Sequence, residues 1–158
     1  MISSQIPYRY AVYFCPAPDS EWGRAGAKWL GRCAFTGEKI PQIQISGIDS
    51  ELFSSITSDP KRYGWHATLK APFKLKPEIE VEDLLSKLHQ LTQSTKPFGL
   101  PKLKVSTLGG FISLRPDMAS DQLNDIAARC VKDLHSCASP LTTAELERRR
   151  KVKLTENQ

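Results

Sequence analysis

The sequence predicts an α+β fold, an antiparallel sheet with flanking helices, and three observations carry that expectation. Tyr8 to Phe14 alternates aromatic and β-branched residues as a half-buried strand does. Gly109-Gly110 sits between two short apolar-alternating runs, the pattern of a tight hairpin. Two further stretches, around residues 81–91 and 123–134, repeat apolar residues at helical spacing. At 158 residues and 40% hydrophobic content the chain is long enough for one domain with a real core, and 1–158 is read as a single α+β domain.

The elements follow in order. In the first strand Tyr10, Val12 and Phe14 share one face, and Ala11 and Tyr13 the other. After Pro16-Ala17-Pro18, Asp19 or Ser20 caps a helix whose inward stripe is Trp22, Ala25, Gly26, Trp29 and Cys33, ending between Gly31 and Gly37. Residues 38–48 form an irregular connection. Asp49 or Ser50 caps a short helix through Leu52, Phe53 and Ile56, stopped at Asp59-Pro60. A strand from Trp65 to Ala71 is stopped by Pro72.

Pro77 to Asp83 opens a helix with Val81, Leu84, Leu85, Leu88 and Leu91 inward and acids near its N-terminus. Leu103–Leu108 and Phe111–Leu114 make the hairpin, which sets Val105 opposite Leu114 and Lys104 beside Arg115. Asp117 or Ser120 begins a helix with Leu123, Ile126, Ala127, Cys130, Val131 and Leu134 on one stripe. Thr142 and Glu145 form a capping box, with Leu141 and Leu146 placed as a hydrophobic staple. The Arg148 to Lys153 run that follows has almost no apolar stripe and reads as a solvated helix face.

Charge and cysteine usage narrow the function. The net charge is +5, but 17 basic and 16 acidic residues precede Arg148, and the tail adds five basic residues against Glu156. The body is nearly neutral, so a broad nucleic-acid surface is not expected. Cys15, Cys33, Cys130 and Cys137 show no C-x-x-C spacing and read as buried reduced thiols. None of His66, His89 and His135 stands near a cysteine pair, so neither a metal nor another cofactor is expected. No stretch reaches the roughly 18 apolar residues of a membrane span, and Met1 to Gln5 lacks signal-peptide character; the expected location is cytoplasmic, with no membrane partner.

The chemistry concentrates on one strand. Alternation puts His66, Thr68 and Lys70 on one face and Trp65, Ala67, Leu69 and Ala71 on the other, with same-face neighbours about 6.6–7 Å apart. Imidazole exchanges a proton near neutral pH, a threonine hydroxyl hydrogen-bonds a phosphoryl oxygen, and a lysine adds positive charge. That set suits acid-base chemistry at a phosphoester. Equally, an H-x-T on a strand is what an incidental polar edge looks like. Hydrolysis also needs a second proton-transfer group, and neither His89, outside its helix stripe, nor His135, at a helix C-terminus, fits that role. Tyr63 and Phe111 are placed to stack on a base or sugar, or simply to pack; Lys104 and Arg115 either bind phosphate or solvate an exposed face.

Five segments carry a resemblance: Arg9-Tyr10-Ala11-Val12-Tyr13-Phe14; Trp29-Leu30-Gly31-Arg32; Arg62-Tyr63-Gly64-Trp65-His66-Ala67-Thr68-Leu69-Lys70-Ala71-Pro72-Phe73; Leu108-Gly109-Gly110-Phe111; and Pro140-Leu141-Thr142 with Ala144-Glu145-Leu146 and Arg148-Arg149-Arg150. Together they resemble a bacterial family of unknown function assigned to phosphonate metabolism. That family is similar to the two-histidine phosphoesterases, relatives of the RNA 2′,3′-cyclic phosphodiesterases and 2′-5′ RNA ligases. The resemblance implies a two-lobed architecture with two H-x-[ST] strands facing across a cleft, and metal-independent hydrolysis of a cyclic phosphodiester. His66 and Thr68 match the first motif; the second is not found before Gln158. The expectation is therefore the first lobe and part of the second, truncated at its C-terminal side, holding half of a catalytic site. Its partner is a small phosphorylated or cyclic phosphodiester ligand. The competing expectation is an inert module that binds such a ligand or a protein, with self-association through its unfinished edge.

Overall fold

The computed structural model describes residues 9–108 and 110–151; the side chains of Leu108, Phe111 and residues 148–151 lie outside that description, as do Tyr8, Gly109, Val152 and Lys153 of the expected elements. The elements are β1 (Tyr10–Phe14), α1 (Glu21–Leu30), α2 (Ser50–Ile56), α3 (Ser58–Tyr63), β2 (Ala67–Phe73), α4 (Val81–Gln93), β3 (Leu103–Leu108), β4 (Phe111–Pro116), α5 (Asp121–Asp133), a 3-10 turn (Leu134–Cys137) and α6 (Thr143–Lys151). Strands pair as β1 with β2 and β3 with β4, so the α+β class is as expected, with two small sheets in place of one. The chain divides into two compact units, Val12–Ala71 and a second made of Met1–Ala11 and Pro72–Gln158. No helix among the described residues is long and apolar enough to cross a membrane.

In the unit Val12–Ala71, Ser20 caps α1 by accepting from the Gly23 amide at 3.0 Å, and Gly31 closes it in the left-handed conformation at φ 70°. The inward face of α1 differs from the expected stripe. Gly26 and Leu30 are buried, whereas Trp22 and Trp29 are 53% and 42% exposed and Ala25 is exposed. Close packing decides the register: a Cβ on Gly26 would lie 2.4 Å from the Trp65 ring, so only glycine admits that ring against the helix. The displaced indoles pack from the flanks, Trp22 stacked on Trp65 at 6.4 Å and Trp29 edge-on to Phe53 at 5.1 Å.

Asp49 caps α2 with bonds from the amides of Glu51 and Leu52. Phe53 is buried while Leu52 and Ile56 of the expected stripe face out. The expected break at Asp59-Pro60 is instead the first turn of α3, where a proline sacrifices no helical hydrogen bond because that amide has no partner within the helix. Gln42 ties the irregular connection down, its amide donating to the Trp29 carbonyl at 2.9 Å and the buried Thr57 hydroxyl at 3.0 Å.

In the other unit the core is Leu84 and Leu91 of α4, Cys130 of α5, and Leu134 and Cys137 of the 3-10 turn. Glu80 and Asp83 form a capping box at the start of α4. Leu85 and Val131, expected inward, are 57% and 49% exposed, each a hundred-degree step round its helix from the buried Leu84 and Cys130. Ser120 caps α5, and Thr142 and Glu145 cap α6 reciprocally: the Thr142 amide donates to Glu145 at 2.9 Å and the Glu145 amide to the Thr142 hydroxyl at 3.3 Å. Arg9 and Lys74 both ion-pair with that buried Glu145.

The hairpin has the expected register, with Lys104 opposite Arg115, Val105 opposite Leu114 and Leu108 opposite Phe111. One of its faces, Leu103, Val105, Ile112 and Leu114, remains open, Val105 and Ile112 being 72% and 75% exposed. All four cysteines are free thiols; Cys130 and Cys137 are buried, and Cys15 and Cys33 half-buried.

Candidate functional site

The histidine is positioned by the end of a helix rather than by a strand. α3 closes at Gly64, whose amide donates to the Pro60 carbonyl at 3.0 Å. Gly64 then adopts φ 75° and ψ −173°, a conformation open to glycine alone, and an added Cβ would lie 2.2 Å from that of Ala34. β2 starts only at Ala67, so His66 stands in the approach to the strand and not in its ladder.

That reversal turns the Gly64 carbonyl onto the imidazole of His66, 2.8 Å from Nδ1. A carbonyl oxygen only accepts, so Nδ1 carries the proton. The neutral ring therefore has its lone pair on Nε2, the geometry of a proton acceptor, and the protonated ring presents Nε2–H as a donor. Tyr13 from β1 lies against the imidazole at a centroid distance of 4.1 Å and 34° tilt. Tyr63, at the end of α3 and 58% exposed, flanks it at 6.1 Å and 52°. Thr68, the second residue of β2, is exposed two residues on.

Lys70 departs from the expected open polar face. It is 7% exposed and has a partner, whereas Ala67 and Ala71 of the expected core face are exposed. Lys70 and Phe73 are the buried positions of β2, three residues apart, and the strand continues through Pro72. A two-stranded ribbon twists more strongly than a wide sheet, so a strict two-residue alternation fails over its length, and among the described residues no third strand pairs with it, which leaves a free edge where proline sacrifices no ladder bond.

Arg115 is exposed on β4 beside Lys104, in the other unit, and Phe111 opens the same strand with its side chain outside the described set. His89 and His135 are both exposed, on α4 and the 3-10 turn. Sequence reasoning missed two members of the His66 environment. Tyr13 was assigned only to a strand face, and Gly64 gave one local signal, a glycine two residues before the histidine at a helix end.

A family described as "Protein of unknown function (DUF1045)" matches residues 68–158, a span that begins at Thr68. The chain is 40% identical over 157 residues to a protein named ribose 1,5-bisphosphate phosphokinase PhnN from Janthinobacterium sp. (strain Marseille), covering 99% of this chain and 35% of that protein. It is 35% identical over 133 residues to the protein of the same name from Laribacter hongkongensis (strain HLHK9), covering 84% of this chain and 31% of that one. The chain thus spans about a third of the length of the curated relatives it matches. No solved structure matches it.

Proposed function

The chain belongs to the DUF1045 family of proteins of unknown function, and from that premise we propose that it carries the first proton-transfer group of a two-histidine phosphoesterase-like site. Its substrate class is a small cyclic phosphodiester, a sugar phosphate of phosphonate breakdown, hydrolysed without a metal. The ribose bisphosphate in the names of both relatives supports a phosphorylated sugar as the ligand class. The kinase activity in those names is not carried over to a chain that covers a third of them.

One observation carries the reading: the bond from His66 Nδ1 to the Gly64 carbonyl, which leaves Nε2 as the reactive nitrogen. In the proposed reaction Nε2 accepts a proton from the attacking water as its oxygen bonds to phosphorus. The ester P–O bond opens, and the leaving oxygen takes its proton from solvent water. Thr68 donates its hydroxyl hydrogen to a non-bridging oxygen, where negative charge accumulates. Tyr13 and Tyr63 hold the ring against rotation about its side-chain torsions.

A second reading, ligand binding without turnover, is favoured by a different observation. His66 is the only histidine between Val12 and Ala71, so this unit supplies one proton-transfer imidazole where the two-histidine reaction uses two. The assay that separates them uses 2′,3′-cyclic nucleotides with chelator present, on this chain and His66→Ala. Turnover that falls by about 10²–10⁴ in the variant, the usual contribution of a positioned acid-base group, supports the esterase reading. Binding without turnover supports the second, and absence of both overturns the site.

A further inference from the structure

The unit Val12–Ala71 contains a cavity of about 130 Å³ between α1 and the turn that follows it. Its lining includes Arg24, Lys28 and Arg32 and no carboxylate. Among the described residues none of these three cations forms an ion pair. Arg24 donates to the Asp19 carbonyl, and Arg32 reaches the carbonyls of Lys61 and Arg62 at 3.4 Å. Phe35 and Trp65 supply apolar wall.

A second, independent feature of the same cavity favours negative charge. Cys33 lines it, and its thiol is held below the ordinary range of thiol acidity constants by hydrogen bonds from Thr36 and from the Phe35 amide, which outweigh partial burial and the Glu38 carboxylate. Donors arranged to favour a thiolate also favour another anion. Size limits the guest: the space of about 130 Å³ is below the roughly 300 Å³ at which drug-sized pockets begin.

We propose that this cavity is a second anion site, built for a single phosphate group, either inorganic phosphate or the terminal group of a small phosphate monoester. Trp65 lines it while the neighbouring His66 packs on Tyr13 and Tyr63, so the site is distinct from the proton-transfer site and does not depend on the function proposed for it. The arginines meet phosphate oxygens as forked donors, and Lys28 adds a point charge.

Cys33 is a built-in reporter. The test is its alkylation rate by iodoacetamide, read by mass spectrometry of the Cys33 peptide in the whole chain. Rates are compared in inorganic phosphate, in ribose 5-phosphate, and in potassium chloride of matched ionic strength. Both phosphates should slow alkylation about tenfold at nine times their dissociation constant, where the site is nine-tenths filled. Earlier protection by ribose 5-phosphate assigns the site to monoesters, and equal protection assigns it to the free ion. Protection should vanish in the double variant Arg24→Gln, Lys28→Gln, whose side chains are exposed and keep their stems. It should survive in His66→Ala. Protection equal in chloride, protection that persists in the double variant, or no protection by either phosphate overturns the proposal.

Discussion

The Nδ1 of His66 donates to the main-chain oxygen of Gly64 at 2.8 Å, across a backbone reversal that no side-chain-bearing residue adopts without strain. One glycine therefore does two things: it ends α3, and it fixes which imidazole nitrogen is free to react. A change at Gly64 that moved this carbonyl would leave the Nδ1 proton of His66 without this partner.

Replacing Gly64 with alanine should destabilise the fold by about 2–6 kcal/mol, combining roughly 1–3 for the strained dihedrals with roughly 1–3 for overpacking against Ala34. Adding Ala34→Gly removes the second part only. Urea unfolding of the single and double variants checks this; full recovery in the double variant would show that dihedral strain contributes nothing.

Thr68→Ala should weaken binding of a cyclic phosphodiester about tenfold or more, since a hydrogen bond to a charged group contributes about 1.5–3 kcal/mol. Thr68→Ser should restore it. Calorimetric titration of both variants decides the matter, and equal affinities for the native chain and Thr68→Ala would remove Thr68 from the site.

Much of the fold was legible because it is local. The hairpin register follows from a two-glycine turn, and the caps at Ser20, Asp49, Ser120 and Thr142 follow from side chains that bond amides two or three residues on. What escaped depends on distant partners. The inward face of α1 is selected by Trp65 pressing on Gly26, the burial of Lys70 by the twist of a narrow ribbon, and the conformation of Gly64 by Ala34. The same holds at the site: His66 and Thr68 were visible as a motif, while the Gly64 carbonyl and the Tyr13 ring belong to three-dimensional neighbours.

Glu145 makes stability depend on pH. The Thr142 amide and hydroxyl, with Lys74 and Arg9 adding, hold its carboxyl below the usual range in the native state. A depressed native value stabilises the fold above the unfolded value of about 4.3, and the contribution is lost as pH falls through the native value. Glu145→Gln should therefore melt lower than the native chain at pH 7, with the gap closing as pH falls from about 5 toward 3. Thermal melts across that range give the comparison, and a gap independent of pH would contradict the ionic account.

Lys104 and Arg115 face one another across the hairpin as like charges. Lys104→Glu should stabilise the chain by about 0.2–1 kcal/mol, the scale of an opposite-charge cross-strand pair. If Arg115 binds ligand phosphate, the same variant loses affinity for it. Unfolding and binding measured on one preparation distinguish a solvated face from a binding one.

In the proposed site His66 meets a phosphoester through Nε2, with Nδ1 committed to Gly64. Nitrogen-15 NMR of the His66 imidazole, recorded above neutral pH and during titration with a 2′,3′-cyclic nucleotide, tests it most directly. The free protein should show a protonated Nδ1 and a bare Nε2, with the ligand moving the Nε2 resonance far more than the Nδ1 resonance. A neutral ring protonated at Nε2, or an imidazole that does not respond to ligand while the ligand binds elsewhere, would contradict it.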